Sequence, residues 1–72
     1  MNMYVYISDL NGKTMYIGLS DDTPIPRIGE SIFLGYNSFP KVLNVLYDYK
    51  NTLITIFIEG FIVWKLILLV VM

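Results

Sequence analysis

Met3-Tyr4-Val5-Tyr6-Ile7-Ser8, then Asp9-Leu10-Asn11-Gly12, then Thr14-Met15-Tyr16-Ile17-Gly18-Leu19, follow one another early in the chain. Met3, Val5 and Ile7 alternate with Tyr4 and Tyr6, and these are β-forming types. Asn11-Gly12 tolerates the positive φ that a tight hairpin turn needs. The stretch therefore predicts two antiparallel strands, Met3–Ser8 and Thr14–Leu19, and with them a β fold.

Ser20 to Arg27 reads as a loop, because Asp21, Asp22, Pro24 and Pro26 oppose a central strand or a helix interior. Pro24-Ile25-Pro26 favours a short extended stretch. Gly29 marks a turn at positive φ. Ser31 to Tyr36, with Ile32, Phe33 and Leu34, predicts a third strand, and Asn37 to Pro40 a second loop. Lys41 to Tyr49 predicts a long strand with Leu43, Val45, Tyr47 and Tyr49 toward the core and Val42, Asn44, Leu46 and Asp48 away from it. Lys50-Asn51 turns the chain, and Thr52 to Glu59 pairs back with Ile54, Ile56 and Ile58 on one face. No helical period of useful length occurs before residue 60.

Five short strands with turns at this spacing predict a mainly β protein, a small five- to six-stranded barrel or a curled antiparallel sheet. The run Ile25-Pro26-Arg27-Ile28-Gly29-Glu30-Ser31-Ile32, followed by Val42-Leu43-Asn44-Val45-Leu46-Tyr47-Asp48, resembles small uncharacterised bacterial and phage proteins. These carry a Pro-Arg-apolar-Gly-Glu turn leading into a strand. The resemblance spans residues 3–58 and implies an SH3-like barrel. By analogy it also implies an adaptor directed at a host or defence component. The motif is a turn signature and carries no chemistry of its own.

Composition restricts the functions on offer. A chain of 72 residues makes one domain, and a domain this small buries only about 60% of its unfolded surface. Disulfides, metals or oligomerisation supplement such cores. With no cysteine and no histidine, disulfides, thiolate sites and the commonest general base are out of reach. Neither a catalytic residue nor a metal site nor a cofactor is expected, and of the supplements oligomerisation is left. Lys13, Arg27, Lys41, Lys50 and Lys65 stand singly in a chain of net charge -1. Duplex nucleic acid, whose binding rests on clustered cations, is disfavoured. Absence of cysteine fits a reducing compartment. Met1-Asn2-Met3-Tyr4 lacks the basic and apolar runs of a secretory signal. A cytoplasmic location is the expectation.

Residues 1–60 form the expected domain, and residues 61–72, Phe-Ile-Val-Trp-Lys-Leu-Ile-Leu-Leu-Val-Val-Met, a separate apolar segment. As a strand it places Ile62, Trp64, Leu66, Leu68 and Val70 on one side, and both sides are apolar. Such a strand needs cover, and a second copy of the chain is the simplest one. The expected oligomer interface is therefore Phe61, Ile62, Trp64, Leu66, Leu68 and Val70. A short helix plugging a barrel end is another reading. A membrane span is disfavoured: twelve helical residues reach about 18 Å, against about 30 Å of hydrocarbon. Extending the span back to Leu53 encloses Glu59 and Lys65, each costing about 2.5–3.5 kcal/mol at the centre.

The other candidate site is aromatic. Tyr4 and Tyr6 share one strand face and Tyr47 and Tyr49 another. Such rings serve protein interfaces or stack on nucleotide rings. With Arg27 and Lys41 to meet a phosphate, these six residues are the expected ligand contacts if oligomers trap a nucleotide-type molecule between subunits. Asp21-Asp22 reads as a turn-forming pair in a solvated loop. The leading expectation is a non-enzymatic binding protein whose partners are itself and another protein.

Overall fold

The computed structural model describes residues 2–33 and 39–62. Four strands form among them: β1 (Tyr4–Ser8), β2 (Thr14–Leu19), β3 (Val42–Asp48) and β4 (Leu53–Ile58). They lie in one mixed sheet in the order β2-β1-β4-β3, and no helix occurs among the described residues. β1 and β2 make the hairpin read from Asn11-Gly12, and β3 and β4 make a second one.

The wholly antiparallel sheet is corrected by the central pair. β1 and β4 run parallel, with Val5 opposite Ile54 and Ile7 opposite Ile56. The two hairpin turns sit at opposite ends of the sheet, and each hairpin sends its more buried strand to the middle. Val5, Ile7, Ile54, Ile56 and Ile58 are all buried there. The Tyr4 amide donates to the Thr52 carbonyl at 2.9 Å and fixes the second turn beside the start of β1. Among the described strands the sheet is open, with β2 and β3 at its edges.

Extra residues in both edge strands set which side chains reach the core. In β2, Gly18 faces Val5 and Tyr16 faces Tyr6, so Ile17 is the added residue. In β3, Val42 faces Ile58 and Asn44 faces Phe57, so Leu43 is added. Such a bulge reverses the inside–outside phase on one side of it. This corrects the expected core face of the strand. Val42 is 1% exposed and Leu43 46% exposed, the reverse of simple alternation from Val45.

The core lies on one side of the sheet. Met3 and Ile62 join the strand residues in it, and Ile25 and Ile32 from the β2–β3 connection pack over it. That connection is pinned to β3: the Gly29 amide donates to the Val42 carbonyl and the Val42 amide to the Glu30 carbonyl, both at 2.8 Å. Gly29 has φ 91°, as its turn requires. Of the expected strand Ser31–Tyr36, the described residues form a bridge between Ser31 and Lys41, with Ile32 and Phe33 in no strand. The Ile32 amide donates to the Pro40 carbonyl at 3.0 Å. Residues 34–36 of that expected strand lie outside the described residues.

Candidate binding face

The face turned away from the core is built from residues that pair across the strands. Tyr16, Tyr6, Thr55 and Leu46 form one row and Leu19, Tyr4, Leu53 and Asp48 a second. Thr14, Ser8, Phe57 and Asn44 form a third. Paired residues project to the same side of a sheet, so the rows make one surface. Tyr4, Tyr16 and Leu46 are each about half exposed, at 52%, 51% and 51%. Tyr6, Leu53, Thr55 and Phe57 are half-buried, and Ser8 is buried. Asp48 is the one charged residue in these rows, and it stands on the edge strand. The surface presents apolar area and ring faces.

Three tyrosines meet here. The rings of Tyr6 and Tyr16 lie 5.5 Å apart at 58°, and those of Tyr4 and Tyr16 6.2 Å apart at 56°. Tilted geometries of this kind suit the ring quadrupoles. Tyr16 was absent from the expected set. The Tyr6–Tyr16 pairing across the hairpin is the signal that finds it, and it requires the register that the Ile17 bulge imposes.

The second tyrosine pair is elsewhere. Tyr47 pairs with Ile54, which places it on the core side of edge strand β3. Its ring stacks on Tyr49 at 6.3 Å and 19°. Tyr4 and Tyr6 therefore do not converge with Tyr47 and Tyr49 within one chain. Arg27 and Lys41 sit on the pinned connection and its bridge to Ser31. In the Arg27–Glu30 turn, the Glu30 carboxylate accepts the Arg27 backbone amide. Phe33 and Phe39, which were not singled out, are exposed and approach to 5.1 Å.

Of the expected oligomer contacts, Phe61 is exposed and Ile62 is buried in its own chain's core. Trp64, Leu66, Leu68 and Val70 lie outside the described residues. Ile62 is held by a group that sequence reading passed over as part of a turn. Asp9 is almost wholly buried. Its Oδ1 accepts the amides of Asn11 at 2.8 Å and Lys13 at 2.9 Å, and its Oδ2 accepts the Ile62 amide at 2.8 Å. Burial works to raise this carboxyl. The Ile62, Lys13 and Asn11 amides, with the Lys13 charge, outweigh it and hold Asp9 below the ordinary carboxylate range. Asp48 is likewise lowered, chiefly by the Asn51 side-chain amide and then by the Asn51 backbone amide, against a smaller effect of burial.

Among the described residues, no group of three acidic or metal-ligating side chains gathers to hold an ion. No described helix is long and apolar enough to cross a membrane. No family model, curated protein or solved structure matches the chain.

Proposed function

We propose that this chain is a non-enzymatic, self-associating binding module of the cytoplasm, with proteins as its partners. The supporting observation is the outer face of the sheet. Antiparallel sheets with one solvated face ordinarily alternate apolar-in with polar-out. Here the outward rows carry Tyr4, Tyr6, Tyr16, Leu46, Leu53 and Phe57. Contiguous apolar surface of this kind marks interaction sites. Residues 61–72 add a second apolar element, and the sheet is not closed among the described strands, which is compatible with the further strands of an SH3-like barrel. Multi-angle light scattering of the full chain across a hundredfold concentration range tests the proposal. Association above the monomer mass of 8.3 kDa is expected, and a monomer at every concentration rejects it.

A second reading, capture of a nucleotide-type ligand between subunits, draws on Tyr47 and Tyr49. Both rings are exposed and nearly parallel, a geometry on which a base can stack. A true ligand a hundredfold above its dissociation constant stabilises by about 2.7 kcal/mol. Thermal shifts across cyclic and linear nucleotides are therefore its test, and a flat screen removes it.

A further inference from the structure

We propose that the end of the sheet that carries the β1–β2 turn is a lipid-contact surface, which seats the protein on an anionic bilayer with the opposite end turned to water.

Separate chain segments bring apolar side chains to this end, where β1 and β4 finish and β3 begins. The Leu10 amide donates to the Gly60 carbonyl at 3.2 Å, and the Glu59 amide to the Lys41 carbonyl at 2.8 Å. A Cβ on Gly60 would lie 3.4 Å from the Pro40 side chain. The 2.8 Å bond from the Gly29 amide to the Val42 carbonyl brings in the Arg27–Glu30 turn. Phe33 reaches the same place through its ring contact with Phe39 at 5.1 Å. Leu10, Ile28, Phe33, Phe39 and Phe61 are thus gathered at one end, each 53–65% exposed. Every one of them is more exposed than any tyrosine or leucine of the outer rows.

Side-chain chemistry selects lipid over protein as the occupant. Protein hot spots favour tyrosine, tryptophan and arginine, and the described tyrosines lie on the outer face or toward the β3–β4 turn. The five residues here have no polar side-chain atom, so they enter the boundary of headgroups and acyl chains without leaving a donor or acceptor unmet. None of the five is in a strand; they stand on turns and connections.

Charge supplies the orientation. Exposed Lys13, Arg27 and Lys41 stand at this end against exposed Glu30 and Glu59. The Asp9 carboxylate is buried and met by three backbone amides. At the far end, the Ser20 amide donates to the Met3 carbonyl and leads into Asp21 and Asp22. With Asp48 they outnumber the one cation there, Lys50. An anionic surface attracts juxtamembrane cations, so it draws the apolar end inward and turns the acidic end away.

Flotation of the full chain with phosphatidylcholine–phosphatidylglycerol vesicles tests this surface. Binding is expected, and it should weaken several-fold on phosphatidylcholine alone. Leu10→Ser combined with Phe39→Ser alters two exposed positions and should lower the affinity about tenfold or more. Tyr16→Ser combined with Leu46→Ser, on the outer face, should leave it within about twofold. No binding by the wild type overturns the proposal, as do unchanged binding by the first variant and equal losses in both. The chain has no cysteine, so Phe39→Cys and Leu46→Cys can each carry a single polarity-sensitive dye. On adding vesicles the dye at position 39 should shift several nanometres to the blue and the dye at position 46 should stay. A shift at both positions or at neither overturns the proposal, and these labels read the contact even where the paired serine variant does not fold. Light scattering without lipid separates this surface from self-association. If the Leu10–Phe39 variant loses the mass above the monomer that the wild type shows, the end belongs to a second copy and the proposal falls.

Discussion

The Asp9 carboxylate accepts the Ile62 backbone amide at 2.8 Å across 53 positions of sequence, and its two oxygens have separate duties. Oδ1 serves the β1–β2 turn and Oδ2 serves the chain beyond β4. Asp9→Asn keeps an acceptor for the turn but presents a donor to the Ile62 donor. Asp9→Ala removes both. The urea midpoint should fall in the order wild type, Asp9→Asn, Asp9→Ala, and hydrogen exchange at the Ile62 amide should quicken in both variants. Equal losses in the two variants would show that the two duties are not separable.

Acid should loosen the same contact. Asp9 and Asp48 are both lowered in the folded chain. Their stabilisation is therefore complete above the unfolded carboxylate value of about 3.9 and is lost as pH falls through the folded values below it. Stability measured by urea should be flat from about pH 7 to pH 5 and decline below about pH 4. Asp9→Asn should shallow that decline, and an unchanged acid limb would remove Asp9 from its cause.

The β3 bulge makes opposite forecasts for adjacent residues. Val42→Ala removes a buried side chain and should cost about 1.5–3 kcal/mol. Leu43→Ala alters an exposed one and should stay within about 0.5 kcal/mol. Denaturant titration of the two variants reads the phase of the strand directly, and the reverse order would contradict the bulge.

Gly18 has φ 150°, and a Cβ there would collide with the Thr23 hydroxyl. Gly12 has φ 80° with open space around it. Gly18→Ala combines backbone strain with a clash and should cost roughly 1–3 kcal/mol. Gly12→Ala adds strain alone and should cost about 1 kcal/mol. Thermal melts should rank them in that order.

Thr52 is a β-branched residue at φ 53°, a conformation that costs an L residue about 1–2 kcal/mol. Its carbonyl is tied to the Tyr4 amide, so the backbone is not free to relax. Thr52→Gly should raise stability by about 0.5–1 kcal/mol once the freer unfolded chain is counted. A loss on this substitution would mean that the threonine hydroxyl contributes more than the strain costs.

Local pattern made much of the fold legible. β2 spans the expected residues Thr14–Leu19, and Ile54, Ile56 and Ile58 share one face as expected, which is buried. Asn11-Gly12 announced its hairpin. The parallel contact of β1 with β4 was not legible, because pairing direction follows from where the two turns sit relative to each other and no short stretch encodes that. The bulge at Leu43 was also hidden, since an added residue leaves the apolar string Val42-Leu43 looking like ordinary strand. The candidate site divided in the same way. Tyr4 and Tyr6 were found by period two, while Tyr16 joined them through cross-strand register. Asp9 looked like any turn aspartate, because its partner Ile62 lies at the other end of the described chain.

The parallel pairing of β1 with β4 also orders events during synthesis. The first hairpin is complete once Leu19 has been made, but Val5 and Ile7 acquire Ile54 and Ile56 as neighbours only when β4 exists. At about 5–20 residues per second, the ribosome needs roughly 2–8 s to extend from Leu19 to Ile58. Through that interval the β1 edge of the nascent hairpin has no strand to pair with. Chaperone demand for this chain should therefore fall on its N-terminal hairpin during translation, and slower codons between Ser20 and Lys41 should lengthen it.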